Sequence, residues 1–171
     1  MRATAPVLLA LLLSPTGFAQ NTSSHSAGKP VIVSLINSSG KSVGTAQLSS
    51  APKGVKISLD IKNLPPGQYS VHIHEFAKCD PPDFKSAGSH FDAGGQTHAG
   101  HFAGDNSDFS LIVAADGTAQ VATTAPNATL GKDEHSVFSN GGTAIVIHGI
   151  SRAPGGSAPA RVACGAVVRP D

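Results

Sequence analysis

The stretch Ser70-Val71-His72-Ile73-His74-Glu75 alternates apolar and polar side chains with a period of two, the period of an extended strand. Val71 and Ile73 then enter a core, while His72 and His74 leave on the opposite face and converge on one external point. Two imidazoles at i and i+2 make half of a metal site. His90, His98 and His101 follow, so five of the chain's eight histidines lie between positions 72 and 101. A cluster of that density points to a metal.

The same short period runs through most of the remaining chain. Val31 to Ile36 and Val43 to Leu48 flank Asn-Ser-Ser-Gly-Lys, a hairpin-like turn. Val55, Ile57, Leu59 and Ile61 alternate with Lys56, Ser58, Asp60 and Lys62, which describes a half-buried strand. Leu64-Pro65-Pro66-Gly67 turns the chain into the histidine strand, Tyr69 to Glu75. Phe109 to Ala114 and Ala119 to Thr124 flank Ala115-Asp116-Gly117-Thr118, a second hairpin signal. Ala144 to His148 and Arg161 to Val168 supply the last two strands. No helical period, internal repeat or second domain interrupts these strands, about eight in number, so an all-β antiparallel sandwich or closed barrel is expected. Residues 77–106 hold no period and are rich in glycine, proline and aspartate, and a loop of that length is usually functional.

Residues 1–19 read as an export leader: a basic start at Arg2, an apolar run from Val7 to Leu13, and Gly17-Phe18-Ala19 before Gln20. The run is too short for a membrane-spanning helix. Residues 20–29 are small and polar and read as a flexible lead-in, with His25 a solvated tail histidine. The domain proper is then expected over 30–171. Without Arg2 the chain carries eleven basic and eleven acidic residues and no block of like charge, which argues against nucleic acid or an acidic membrane as a partner. Only two cysteines occur, Cys79 and Cys164, and for an exported chain one disulfide is the default expectation. Free thiols or thiolate ligands are the other readings. A bridge here would be worth about 4–5 kcal/mol in the chain-entropy model.

His148 closes the strand Ala144-Ile145-Val146-Ile147, on the face of Val146 and opposite Ile145 and Ile147. With it in place, a resemblance emerges on His72-Ile73-His74-Glu75, Cys79, Ser86-Ala87-Gly88-Ser89-His90-Phe91, Gly104-Asp105, Ile147-His148 and Arg161-Val162-Ala163-Cys164-Gly165. In that order these resemble the bacterial secreted copper/zinc superoxide dismutases. The resemblance implies an eight-stranded antiparallel Greek-key sandwich or barrel with a long metal-binding loop. It implies copper on His72, His74, His90 and His148, with His90 also bridging to zinc. In the implied cycle His90 leaves Cu(I), takes up a proton and returns it as peroxide forms. Arg161 would attract superoxide and hold it beside copper. A Cys79–Cys164 bond would pin the loop to the last strand and so position Arg161. Glu75 reads as a structural acid at the strand end.

The zinc half departs from the family pattern. Phe102 stands three residues before Asp105, where a zinc histidine is expected, and His101 stands four before it. The set His90, His98, His101 and Asp105 has the right donor types for zinc if the loop shifts by one residue. The stretch 149–156 after His148 also lacks the acid that braces two metal histidines in the family. Both departures resemble the copper-only members, in which Asp105 would instead hydrogen-bond His90. The resemblance thus implies copper and leaves zinc open.

The leading expectation is an exported superoxide dismutase, periplasmic or secreted, with superoxide as substrate, working as a monomer or homodimer and not bound to membrane once the leader is gone. The alternative is an exported copper-binding or copper-delivering protein on the same scaffold, against which Arg161 argues, because a carrier needs no anion guide. A cupin-like enzyme shares the His-x-His strand but not the cysteine-linked arginine.

Overall fold

In the computed structural model, residues 29–91, 93, 109–150 and 159–170 are described. Eight strands occupy them: β1 (Val31–Asn37), β2 (Ser42–Ala51), β3 (Gly54–Ile61), β4 (Gly67–His74), β5 (Phe109–Val113), β6 (Ala119–Pro126), β7 (Thr143–Gly149) and β8 (Arg161–Val167). Each coincides with a strand expected from the alternation, within two or three residues at its ends. Only short 3-10 turns, Lys85–Ala87 and Ser139–Gly141, add helical character among the described residues.

All ladders are antiparallel, in the order β5-β4-β7-β8-β1-β2-β3-β6. The sheet curls until its outer strands β5 and β6 lie against each other, giving a nearly closed all-β barrel. The chain runs β1-β2-β3 as a meander and then crosses the barrel to place β4 between β5 and β7.

The core follows from the alternation. Val31, Val33 and Leu35, Ile57, Leu59 and Ile61, Val71, Leu111, and Ile145 and Ile147 fill the interior. At close packing this leaves no room for a side chain on Gly165, whose added Cβ would lie 2.6 Å from Val33 Cγ1 and 2.7 Å from Leu35 Cδ2.

A second, smaller cluster lies on the outside of the barrel wall. Phe84 and Ala87 from the loop after β4 pack on Ala144 and Val146 of β7 and Cys164 of β8. Cys164 is bonded to Cys79, so the expected disulfide exists and ties that loop to β8. The tether and the apolar contact hold a backbone-rich loop over one face of the barrel, above the histidines.

Candidate metal centre

The β4–β7 register decides which side chains meet. Ser70 pairs with His148, His72 with Val146 and His74 with Ala144. Because Val71, Ile145 and Ile147 are interior, Ser70, His72, His74, Val146 and His148 share the outer face. The parity assigned to His148 from sequence therefore holds, and both strands of histidines stand under the tethered loop.

The loop delivers His90 by pairing its backbone to the end of β4. Glu75 N–H donates to the Ser89 carbonyl (3.0 Å), Phe76 N–H to that of Ala87 (3.0 Å) and Phe91 N–H to that of Ile73 (2.8 Å). His74 and His90 are bridged partners as a result. The Glu75 carboxylate accepts from Ser89 N–H at 2.9 Å, which fits its reading as a structural acid at the strand end.

Four imidazoles meet there. The ring of His74 is 4.8 Å from that of His90 and 5.2 Å from that of His148, and His90 and His148 are 5.9 Å apart. One nitrogen from each of these three lies within 4.8 Å of the others, a group that could hold a metal ion. His72 is adjacent but set differently. Its ring stacks on His90 at 4.2 Å, meets His148 edge-on at 5.1 Å, and lies outside the three-nitrogen group.

The environment selects neutral rings. His74 is fully buried, and burial pulls its pKa from 6.5 to about 3, with Arg161 and the neighbouring histidines adding to the shift and a hydrogen bond to Gly88 opposing it. Burial pulls His148 down to about 4, followed by the charges of His72, His90 and Arg161. A metal needs that deprotonated form. His74 donates from Nδ1 to the Gly88 carbonyl at 3.0 Å, and His148 is hydrogen-bonded to the Pro159 backbone. Their Nε2 atoms face one another at 3.0 Å. A cation beside them could take both nitrogens as ligands, so this donor set fits a metal, and an all-imidazole set suits copper.

Arg161 opens β8 opposite His148. Its Nη1 donates to the Phe84 carbonyl at 2.7 Å and its Nη2 to the Gly88 carbonyl at 2.8 Å. Burial lowers its pKa, but a guanidinium stays charged at any working pH. A fixed cation therefore stands over the imidazoles. Phe84 and Gly88 were missed as functional positions from sequence; both act through backbone carbonyls, which any residue carries. His98, His101 and Asp105 lie outside the described residues, as does Phe102.

An antiparallel barrel carrying imidazoles on its outer wall, under a disulfide-tied loop with an arginine beside them, describes a metal-binding β-barrel protein. The family model described as copper/zinc superoxide dismutase matches residues 42–167. The chain is 40% identical over 144 residues to superoxide dismutase [Cu-Zn] 1 of Aquifex aeolicus, covering 78% of this chain and 84% of that protein. It is 36% identical over 138 residues to superoxide dismutase [Cu-Zn] of Caulobacter vibrioides, covering 75% and 79%. The crystal structure of a SOD-like protein from Bacillus subtilis superposes with a TM-score of 0.70 at 32% identity, covering 84% of this chain and all of that one.

The chain belongs to the copper/zinc superoxide dismutase family. Its reaction is dismutation of superoxide at a histidine-bound copper, and copper and zinc are the cofactors that membership implies.

Proposed function

We propose that copper is held by His72, His74, His90 and His148, and that Arg161 guides superoxide to it. The observation that carries this reading is the pair of buried Nε2 atoms of His74 and His148 facing each other at 3.0 Å beneath a fixed guanidinium. Bound copper supplies one-electron chemistry, taking an electron from one superoxide and giving it to the next, for a net conversion of two superoxides and two protons to dioxygen and hydrogen peroxide. The protein's own groups do the rest. His74 and His148, kept neutral by burial, present lone pairs instead of protons. His90, on the loop, carries and releases the proton that peroxide needs. Arg161 lowers the energy of an anion arriving at the open side, and its two carbonyl contacts keep it from swinging away.

His90 also heads the proposed zinc set with His98, His101 and Asp105, supported by the donor types and not by the usual spacing. Residues 1–19 are proposed as an export leader, 20–29 as a lead-in and 30–171 as the catalytic domain, in the periplasm or outside the cell. The Cys79–Cys164 bond is consistent with such an oxidising compartment. No helix among the described residues is long and apolar enough to cross a membrane.

Arg161→Ala tests the assignment against copper carriage alone. Copper bound per chain should stay unchanged while kcat/KM falls by about tenfold or more and loses most of its salt dependence. Equal dismutation by the variant and the parent would remove Arg161 from the mechanism, and absence of activity in both copper-loaded proteins would favour a carrier. Copper and zinc counted per chain by elemental analysis test the two metal sets.

A further inference from the structure

The outer face of β4 carries Gln68 and Ser70 beside its two histidines. Ser70 precedes His72 by two residues and lies opposite Ser110 in β5 and His148 in β7. Its Oγ is 3.2 Å from His72 Nε2. The neighbouring Ser110 hydroxyl is engaged by Gln68 Nε2 at 2.8 Å, which leaves Ser70 facing the imidazole.

Metal-bound imidazoles generally donate the N–H of the non-ligating nitrogen to a fixed acceptor, which sets the tautomer and the ring plane. His74 has the Gly88 carbonyl for this, and His148 has the Pro159 backbone. The stretch 149–156 brings no carboxylate.

We infer that Ser70 is the positioning residue of His72: its hydroxyl oxygen accepts the Nε2–H and so leaves the lone pair on Nδ1 as the one offered to copper. The inference rests on the proposal above that His72 is a copper ligand. It deepens that proposal by naming the residue that holds the His72 ring. A hydroxyl can also donate a proton, and in that opposite arrangement Nδ1 would carry the hydrogen and could not ligate. The two arrangements have different measurable signatures.

The test uses the full chain with Ser70→Ala, Ser70→Thr and His72→Ala. Nitrogen-15 NMR of the metal-free protein reads the His72 tautomer. Chelator competition reads Cu(II) affinity, and electron paramagnetic resonance reads the Cu(II) ligand field. The parent should show the Nε2–H tautomer. Ser70→Ala should mix the tautomers, weaken Cu(II) binding by about tenfold to a hundredfold and shift the copper hyperfine splitting. Ser70→Thr, which keeps the hydroxyl, should restore all three.

An Nδ1–H tautomer in the parent overturns the inference. So does a Ser70→Ala protein with unchanged affinity and spectrum beside a His72→Ala protein that has lost both; in that case the ligand assignment survives. Equal damage from Ser70→Ala and Ser70→Thr assigns Ser70 to packing. Unchanged copper binding in His72→Ala removes the ligand assignment itself, and the inference with it.

Discussion

His74 and Arg161 hydrogen-bond the same oxygen, the Gly88 carbonyl, at 3.0 Å from Nδ1 and 2.8 Å from Nη2. One peptide group thus sets the tautomer of a buried imidazole and anchors the cation above it. Both lone pairs of the carbonyl are used, so the two side chains are positioned relative to each other and not only to the barrel. The loop that holds Gly88 becomes part of the reaction geometry without contributing a side chain there.

That shared carbonyl makes Gly88→Ala damaging. Gly88 has φ +79°, and an added Cβ would lie 2.7 Å from both Glu75 Oε2 and Phe76 Cδ2. With ψ at −153° this backbone lies in a region essentially restricted to glycine and costs another residue about 1–3 kcal/mol, and the clash adds to it. Thermal unfolding should show that loss. Copper affinity and kcat/KM should fall together, because the displaced carbonyl serves His74 and Arg161 at once. A variant with wild-type values for both would show that the carbonyl tolerates displacement.

Acidification should destabilise the metal-free protein. The folded-state pKa values of His74 and His148, about 3 and 4, lie below the ordinary 6.5, chiefly through burial. Below pH 6.5 the unfolded chain takes up protons that the folded protein refuses, so stability falls as pH drops toward 4. Denaturant titrations of metal-free protein at pH 7, 5.5 and 4.5 should show the decline, and His148→Gln should make it shallower. Parallel pH curves for parent and variant would show that His148 titrates normally in the fold.

Removing the disulfide should loosen the loop more than the barrel. Cys79 and Cys164 are 85 residues apart, and a native bridge of that kind typically contributes about 2–5 kcal/mol. Cys79→Ser with Cys164→Ser should lose stability in that range. Activity should suffer more than secondary structure, since Phe84 and Gly88, the two acceptors of Arg161, sit on the released loop. Circular dichroism beside a dismutation assay separates the two effects, and an unchanged assay would count against the tether's role.

The interior of β8 offers a contrast. Gly165→Ala places a methyl carbon 2.6 Å from Val33 Cγ1 and 2.7 Å from the Ser34 carbonyl oxygen. Overpacking of this kind costs about 1–3 kcal/mol. Denaturation should reveal the loss, whereas copper per folded chain should not change, because the clash is with Val33 and Leu35 in the barrel interior, on the inner side of the wall whose outer side carries the histidines. A drop in copper content would show that strain crosses the wall.

The two-residue period determined a great deal by itself. Side chains of an extended chain must alternate, so Val71 and Ile73 went inward, His72 and His74 outward, and His148 took the face of Val146 before any partner strand was known. The eight strands and the outward histidines were legible for that reason. Tertiary structure alone decided what distinguishes two histidines that read alike in His-x-His. Register against β7 and the carbonyl of Gly88 bury His74 with its Nε2 3.0 Å from that of His148, while His72 stacks on His90 with its Nε2 near Ser70. Those contacts join residues as far as 74 positions apart, and one of them goes through a backbone carbonyl that every residue has. A local period carries no information about them, because it reports which way a side chain points and not what the folded chain places there.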